Sequence, residues 1–468
     1  MATRILRFPV DGWLEPEAAF LGAFAHEPYV VWLDAGPDAQ SGVSVIAAAS
    51  GGSEFVTASV AEGTVSVGRP GESPLTDSGD ILAFLGESLA QFDDLVARHP
   101  QTTDFSLGWL GWLGYEYGAA ASGVAVSPTR LPDAAMLFVD RAVVFDHGTQ
   151  TVELIALDRD GVAEWASSLR EQLTASGRMR GDGRRERRTT NGAEATTLRW
   201  RHDDATYLGL IRDCQEAIRR GDAYQLCLTN EAIVEVPVDP IDAYLRLRSS
   251  SPTHHGGLLR FGDVALLSAS PEQFLSITPA RRIRTKPIKG TRPRGATVSR
   301  DLDLRAELEA SDKERAENVM IVDLMRNDLG RVCRVGSVEV HHLLAVESYA
   351  QVHQLVSTVE GVLADGVGPL DAVAACFPAG SMTGAPKISA MRILHELEDG
   401  PRGIYSGCFG YLGLDGSADL AMVIRSIVVE PERVSIGAGG GITALSVPEE
   451  ELDEVAVKAS ALIAALGL

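Results

Sequence analysis

Thr285-Lys-Pro-Ile-Lys-Gly-Thr-Arg-Pro-Arg-Gly295 holds two lysines, two arginines, two prolines and two glycines in eleven residues. Proline fixes φ and lacks an N–H, so Pro287 and Pro293 argue against a helix and leave a stiff, bent segment. A lysine locked in such a segment, Lys289, is aimed at one point. It attacks only as the free amine, which requires a pKa lowered by burial or by a neighbouring cation. Lys286, three residues earlier, is the candidate cation. The same residues also read as a basic surface loop with a solvated lysine. Around this stretch helical and extended patterns mix in an order that indicates α+β, a large β-sheet sandwich with helices on the outside.

The chain has 468 residues, enough for two domains or one large one with an ample core. Its formal net charge of −22 argues against nucleic acid and anionic membranes as partners. An anionic substrate would need arginine and lysine concentrated locally to overcome that field. Five cysteines without paired spacing suggest reduced thiols in a cytoplasmic protein, neither a disulfide framework nor a zinc site. No signal-like apolar core opens the sequence and no run of about eighteen apolar residues occurs, so no membrane span is expected.

Three segments are expected: a β-rich subdomain over 1–175, a flexible linker over 176–197, and a catalytic domain over 198–468. The first has short alternating runs punctuated by Gly, Pro and Asp, with an amphipathic helix over 81–97. Leu107-Gly-Trp-Leu-Gly-Trp-Leu-Gly-Tyr-Glu116 reads as a tightly packed strand crossing. In the linker apolar residues nearly vanish, and its arginines lack interleaved aromatics, so a solvated loop fits better than a nucleic-acid patch. The third segment opens with a helix over 203–220 stopped at Gly221. A long helix over 302–326, another over 385–397 marked by Gly384, and a strand over 420–429 are also expected.

Two carboxylate pairs stand out, Glu314 with Glu317 and Glu451 with Glu454, each three apart on an expected helix. Residues i and i+3 share a helix face, so two such faces together make an all-oxygen site suited to Mg²⁺. Taken singly, each pair also reads as helix-end or surface charge, with Glu454–Lys458 an i,i+4 salt bridge. The run Gly437-Ala-Gly-Gly-Gly-Ile442 is read as a loop whose N–H groups form an anion nest. Arg425, inside an apolar run, needs a partner, either a structural acid or a ligand carboxylate.

Taken together these stretches resemble the chorismate-utilising enzymes, strongly over about 200–465 and more loosely before. The resemblance is carried by Gly221-Asp-Ala-Tyr-Gln-Leu-Cys-Leu228, Ser268-Ala-Ser-Pro-Glu-Gln-Phe274, Pro287-Ile-Lys-Gly-Thr291 and Asp312-Lys-Glu-Arg-Ala-Glu-Asn318. Phe377-Pro-Ala-Gly-Ser-Met-Thr-Gly-Ala-Pro-Lys387 and Glu451-x-x-Glu454-x-x-x-Lys458 extend it. It implies the family's fold and a Mg²⁺ held directly by Glu317 and Glu454, with Glu314 and Glu451 in support. It also implies that Tyr405, Arg425, the amides of Gly439 and Gly440, Lys458 and Thr291 bind substrate.

Within the family, the water-using members carry a general-base lysine where this chain has Gln225. The resemblance therefore implies the ammonia-using branch. There, lysine in the Pro-Ile-x-Gly-Thr motif marks the aminodeoxychorismate synthase branch, and alanine the anthranilate synthases. Lys289 then implies a covalent route to amination at C4, with Glu272 as acid and base, in the 4-aminobenzoate and folate pathway. Many relatives have histidine where this chain has Gln354, preceded by His353, which fits a product that keeps its enolpyruvyl group. Ammonia is expected from a separate glutamine amidotransferase subunit. The alternatives are anthranilate synthase component I and a non-catalytic chorismate-binding subunit that activates an amidotransferase.

Overall fold

Along the strand Tyr29–Asp34, Val31 faces one apolar core while Val30 and Trp32 face another, and the neighbouring strand Val43–Ala48 splits Val45 from Ile46 likewise. Period-two alternation with both faces apolar requires cover on both sides. A second sheet covers one face and helices cover the other. The computed structural model describes residues 4–92, 105–178, 198–349 and 352–467.

Both sheets are antiparallel and twelve-stranded. The first runs from Ile5–Val10 through Thr151–Leu157, Arg141–Asp146, Val43–Ala48 and Tyr29–Asp34. It continues into His255–Phe261, Val264–Ser270, Ser426–Glu430, Arg433–Ile442, Gln225–Val234 and Leu198–Trp200. The second runs from Ile288–Pro293 through Val352–Val362, Arg282–Thr285, Gln273–Ile277, Ala418–Met422 and Cys408–Gly413. It ends with Gly108–Leu113, Ala134–Val139, Phe55–Ser59, Thr64–Gly68 and Leu75–Ser78. The sheets meet through contacts such as Trp112 stacked on Phe261 at 4.9 Å. Helices Asp204–Arg220, Pro240–Ser250, Lys387–Glu398 and Pro448–Leu466 pack on the outer face of the first sheet.

Each sheet joins a block of five N-terminal strands to a block of C-terminal strands at a single pairing. Tyr29–Asp34 pairs with His255–Phe261, and Gly108–Leu113 with Cys408–Gly413. The segments expected at 1–175 and 198–468 therefore share two sheets and do not each form one. Of the linker expected at 176–197, residues 176–178 end the helix Val162–Arg178, and the rest lies outside the described residues. The helix expected at 81–97 is observed as Ile81–Ala90 with Gln91 as its C-cap, and positions 93–97 lie outside the described residues.

Several local expectations are corrected. The long helix at 302–326 is two, Val298–Ala310 and Asp312–Gly330, broken at Ser311. Ser311 is extended at ψ 107° and its hydroxyl accepts the Glu314 N–H at 3.5 Å, an N-cap that starts a new helix. Gly384 lies in a short strand, since a Cβ there would meet Gln225 O at 2.2 Å; the helix begins at Lys387 behind Pro386. The strand at 420–429 is two strands in different sheets, Ala418–Met422 and Ser426–Glu430, with Arg425 at the corner at φ 50°. The glycine run continues the strand Arg433–Ile442 and is not a loop.

The packed crossing at Gly108–Leu113 yields a test. A Cβ on Gly111 would lie 2.0 Å from the Ala135 carbonyl oxygen, so backbone must shift to admit it. Gly111→Ala is expected to destabilise the fold by about 2 kcal/mol, the overpacking range, as measured by urea unfolding.

Candidate active site

The strands Ser426–Glu430 and Arg433–Ile442 stay paired only as far as Val428 opposite Ser435. Beyond Ser435 the second strand keeps its partner on one side, Gln225–Val234, and its other edge faces a cavity of about 360 Å³. The residues expected to bind substrate or metal, with Lys289 and Glu272, all line that cavity, whereas Lys286 does not. The cavity receives Glu272, Lys289 and Thr291 from the second sheet's end, Glu314 and Glu317 from one helix, and Glu451, Glu454 and Lys458 from another. Tyr405, Arg425, Gly439 and Gly440 complete it.

The glycines make this convergence possible. A Cβ on Gly437 would lie 2.1 Å from the Tyr405 ring, and one on Gly440 would lie 3.0 Å from a Glu451 oxygen. A Cβ on Gly441 would lie 2.2 Å from Gln225 Nε2 and 3.7 Å from Lys289 Nζ. Their role is close approach along an exposed strand edge, and no separate nest loop forms.

Lys289 sits on Ile288–Pro293, with a bulge at Gly290, which takes φ 77°. Helix Asp312–Gly330 is tied to that strand by Asn318, whose Nδ2 donates to Pro287 O and Leu355 O at 3.4 and 3.3 Å. This fixes Glu317, the next residue, opposite Lys289. Burial alone would lower the Lys289 pKa, but Glu317, Cys227, Glu272 and Glu454 outweigh it and the net shift is upward. The expected activation by Lys286 is therefore corrected: its ammonium pairs with Glu347 at 3.3 Å.

Glu272 is buried after Pro271. Burial pushes its carboxyl up to about 7, with the Ser381 hydroxyl and the Lys289 ammonium pulling the other way. Such a group can hold and release a proton near neutrality. Arg425 is largely buried, and burial pulls its pKa down. Its Nη1 donates to Lys458 O at 3.4 Å, and it forms no ion pair among the described residues. No structural acid answers it, which leaves a guanidinium fork open to a ligand carboxylate.

The four glutamates share the cavity with lysines. Glu451 Oε1 accepts from Lys313 Nζ at 3.2 Å, and Lys458 Nζ pairs with Glu454 at 2.6 Å and donates to Gly439 O at 2.7 Å. Burial raises the Glu317 pKa, whereas at Glu454 the lysines overcome burial and lower it. Among the described residues no three His, Cys, Asp or Glu side chains form a ready-made metal shell. The donor set, carboxylate oxygens on two facing helices with Glu317 and Glu451 buried, is nonetheless of the kind Mg²⁺ takes.

Ser381, Gln354, Cys227 and Met382 also line the cavity. Ser381 lies within Phe377–Lys387, and its place as a buried serine beside the Glu272 carboxyl emerges only in three dimensions. His353 faces away, bonding Asp301 at 3.0 Å and Ser348 at 2.8 Å, a packed strand histidine. A second cavity, of about 250 Å³, shares Tyr405 and Gly437, but its charges are already paired, Arg201 with Glu231 at 2.7 Å and Arg130 with Glu430 at 3.4 Å.

A profile described as chorismate binding enzyme matches residues 49–464. Aminodeoxychorismate synthase from Streptomyces griseus is 44% identical over 458 residues, covering 96% of this chain and 62% of that protein. The chain thus spans less than two thirds of that relative's length. Anthranilate synthase component 1 from Thermus thermophilus is 41% identical over 382 residues, 79% of this chain and 80% of that one. The crystal structure of anthranilate synthase component I from Streptococcus pneumoniae superposes with a TM-score of 0.75 at 28% identity, covering 91% of this chain and 93% of that chain.

The opposition of Lys289 and Glu272 is directly measurable. Lys289→Met removes the cation that restrains the Glu272 carboxyl, so its titration midpoint should rise above about 7. Carboxyl-carbon NMR of parent and variant checks this; a midpoint that stays or falls would show the two groups are not coupled.

Proposed function

The chain belongs to the chorismate binding enzyme family, and from that premise we propose that it aminates chorismate at C4 with ammonia, giving 4-amino-4-deoxychorismate. The observation carrying this reading is that Lys289 and Glu272 open on one cavity with the acid-free Arg425. The guanidinium of Arg425, the Tyr405 hydroxyl and the free strand edge at Gly439 and Gly440 hold the enolpyruvyl carboxylate, while Lys458 and Thr291 orient the substrate. Glu317 and Glu454 would hold Mg²⁺, with Glu314 and Glu451 in support. When bound, Mg²⁺ supplies positive charge that offsets the ring carboxylate and those of its glutamates. With Glu317 and Glu454 so neutralised, two of the four groups that keep Lys289 charged would no longer oppose burial, which favours the free amine.

The Lys289 amine forms a bond to ring C2 as the C4–O bond breaks, and Glu272 gives its proton to the leaving hydroxyl, which departs as water. Ammonia then bonds C4 as the C2–nitrogen bond breaks, releasing Lys289. The Glu272 carboxylate takes the proton shed by the new ammonium group, which restores both residues. Gln354 offers no base for pyruvate elimination, so the enolpyruvyl group stays. We assign the ammonia to a glutamine amidotransferase component: all five cysteines here are buried and their thiols are pushed up by burial, the reverse of a nucleophilic cysteine. The pathway served is the one leading to 4-aminobenzoate and folate, in the cytoplasm. The same site would give anthranilate if ammonia entered at C2 and pyruvate left, and the product's mass separates the two.

Two experiments bear on this. Intact-protein mass spectrometry after trapping with chorismate should show an adduct on the parent and none on Lys289→Ala. A parent that forms no adduct and aminates no faster than the variant makes Lys289 structural. Separately, Glu317→Gln and Glu454→Gln should each abolish turnover with ammonium and Mg²⁺ while leaving the circular dichroism spectrum intact. Activity of either within about tenfold of the parent, a loss of only ~1.4 kcal/mol, would remove that glutamate from the site.

A further inference from the structure

Directly behind the cavity wall, Arg402 is buried with its guanidinium fully engaged. Nε and Nη2 donate to the two Glu398 oxygens at 2.7 and 2.6 Å, Nη2 also to Cys227 O at 2.9 Å, and Nη1 to Met382 O at 2.6 Å. The Tyr115 ring lies 4.3 Å from the guanidinium carbon. Glu398 is fixed in turn, its Oε1 accepting the Thr229 N–H at 2.8 Å. On the loop itself, Glu116 takes the Arg402 and Gly403 N–H groups on its two oxygens at 2.7 and 2.8 Å. Cys227 and Met382 line the substrate cavity, and so does Tyr405, three residues beyond Arg402.

Three walls of the cavity therefore meet at one side chain: the strand Gln225–Val234 through Cys227, the turn Gly380–Met382, and the loop bearing Tyr405. We propose that Arg402 is a positioning residue for substrate binding, setting the spacing of these walls, with Glu116 fixing the backbone that aims Tyr405. This rests on the reading above only in taking chorismate as the ligand. A buried ion pair is by itself weak support for stability, since apolar residues often replace one without loss. What an apolar residue cannot supply is the directional fork, and lysine, with a single nitrogen, cannot reach Glu398, Met382 O and Cys227 O at once.

Equilibrium dialysis with chorismate and Mg²⁺ tests this without requiring turnover. Arg402→Lys keeps the charge opposite Glu398 but loses the fork, and its chorismate Kd should rise about tenfold, the loss expected for charge-assisted hydrogen bonds. Glu116→Gln, which disturbs only the two backbone N–H groups, should raise it about threefold. A purely structural role would lower the melting temperature and leave Kd unchanged. Unchanged affinity in folded Arg402→Lys, or in Glu116→Gln should the lysine variant not fold, overturns the proposal. A parent that binds chorismate without aminating it defeats the reaction proposed above and leaves this comparison intact.

Discussion

A close-packed sandwich has no room for a dianion unless side chains are removed from somewhere, and here they are removed along one strand. Between Gly437 and Gly441 the strand Arg433–Ile442 presents almost bare backbone, and Tyr405, Gln225, Lys289 and Glu451 approach to where a Cβ would stand. Packing densities elsewhere in such cores leave few voids larger than a water. The site thus depends on an absence of atoms along one strand. The divergence of this strand from Ser426–Glu430 after Ser435 adds the unpaired backbone edge that a polar ligand can meet.

Charge is arranged with similar economy. The chain carries a net charge of −22, yet the cavity sets Lys289, Lys313, Lys458 and Arg425 among four glutamates and Glu272. Lys313 pairs with Glu451 and Lys458 with Glu454, and Glu317 and Glu272 hold Lys289 charged, so these charges oppose one another in the free site. A ligand bearing both signs, or a dianion accompanied by a divalent cation, exchanges these internal pairs for pairs with itself. Such an exchange would alter the balance that sets the protonation of Lys289 and Glu272.

Much of this was legible in the chain, for identifiable reasons. Helix spacing placed Glu314 with Glu317 and Glu451 with Glu454, because i and i+3 always share a face. The Asp203 cap and the Gly221 stop bound the helix Asp204–Arg220 as read, with Gly221 at φ 84°. The departures have a common cause. Nothing in an apolar run says that it changes sheets, so the corner at Arg425 was invisible in a stretch that is strand-like on both sides. Glycines disfavour strands locally, and only the crowding of Tyr405 and Gln225 explains why they form one. Lys286 is near Lys289 in sequence, but Pro287 separates two strands and Lys286 turns to Glu347. Arg402 and Glu116 carry no motif at all; their role exists only where their carbonyl and amide partners meet.

The joining of an early and a late block of strands in each sheet bears on how the protein is made. Ile5–Val10 closes on Thr151–Leu157, and Gly108–Leu113 pairs early with Ala134–Val139, but its other edge must await Cys408–Gly413, some three hundred residues later. During synthesis the early strands can pair among themselves, but Tyr29–Asp34 keeps one open edge until His255–Phe261 appears and Gly108–Leu113 keeps one until the last quarter of the chain. Pairings so distant in sequence are slow to close, and unpaired edges invite association with other chains. The ordering that brings Tyr405 and Arg425 to the cavity therefore makes this a chain whose yield depends on protecting those two open edges during translation.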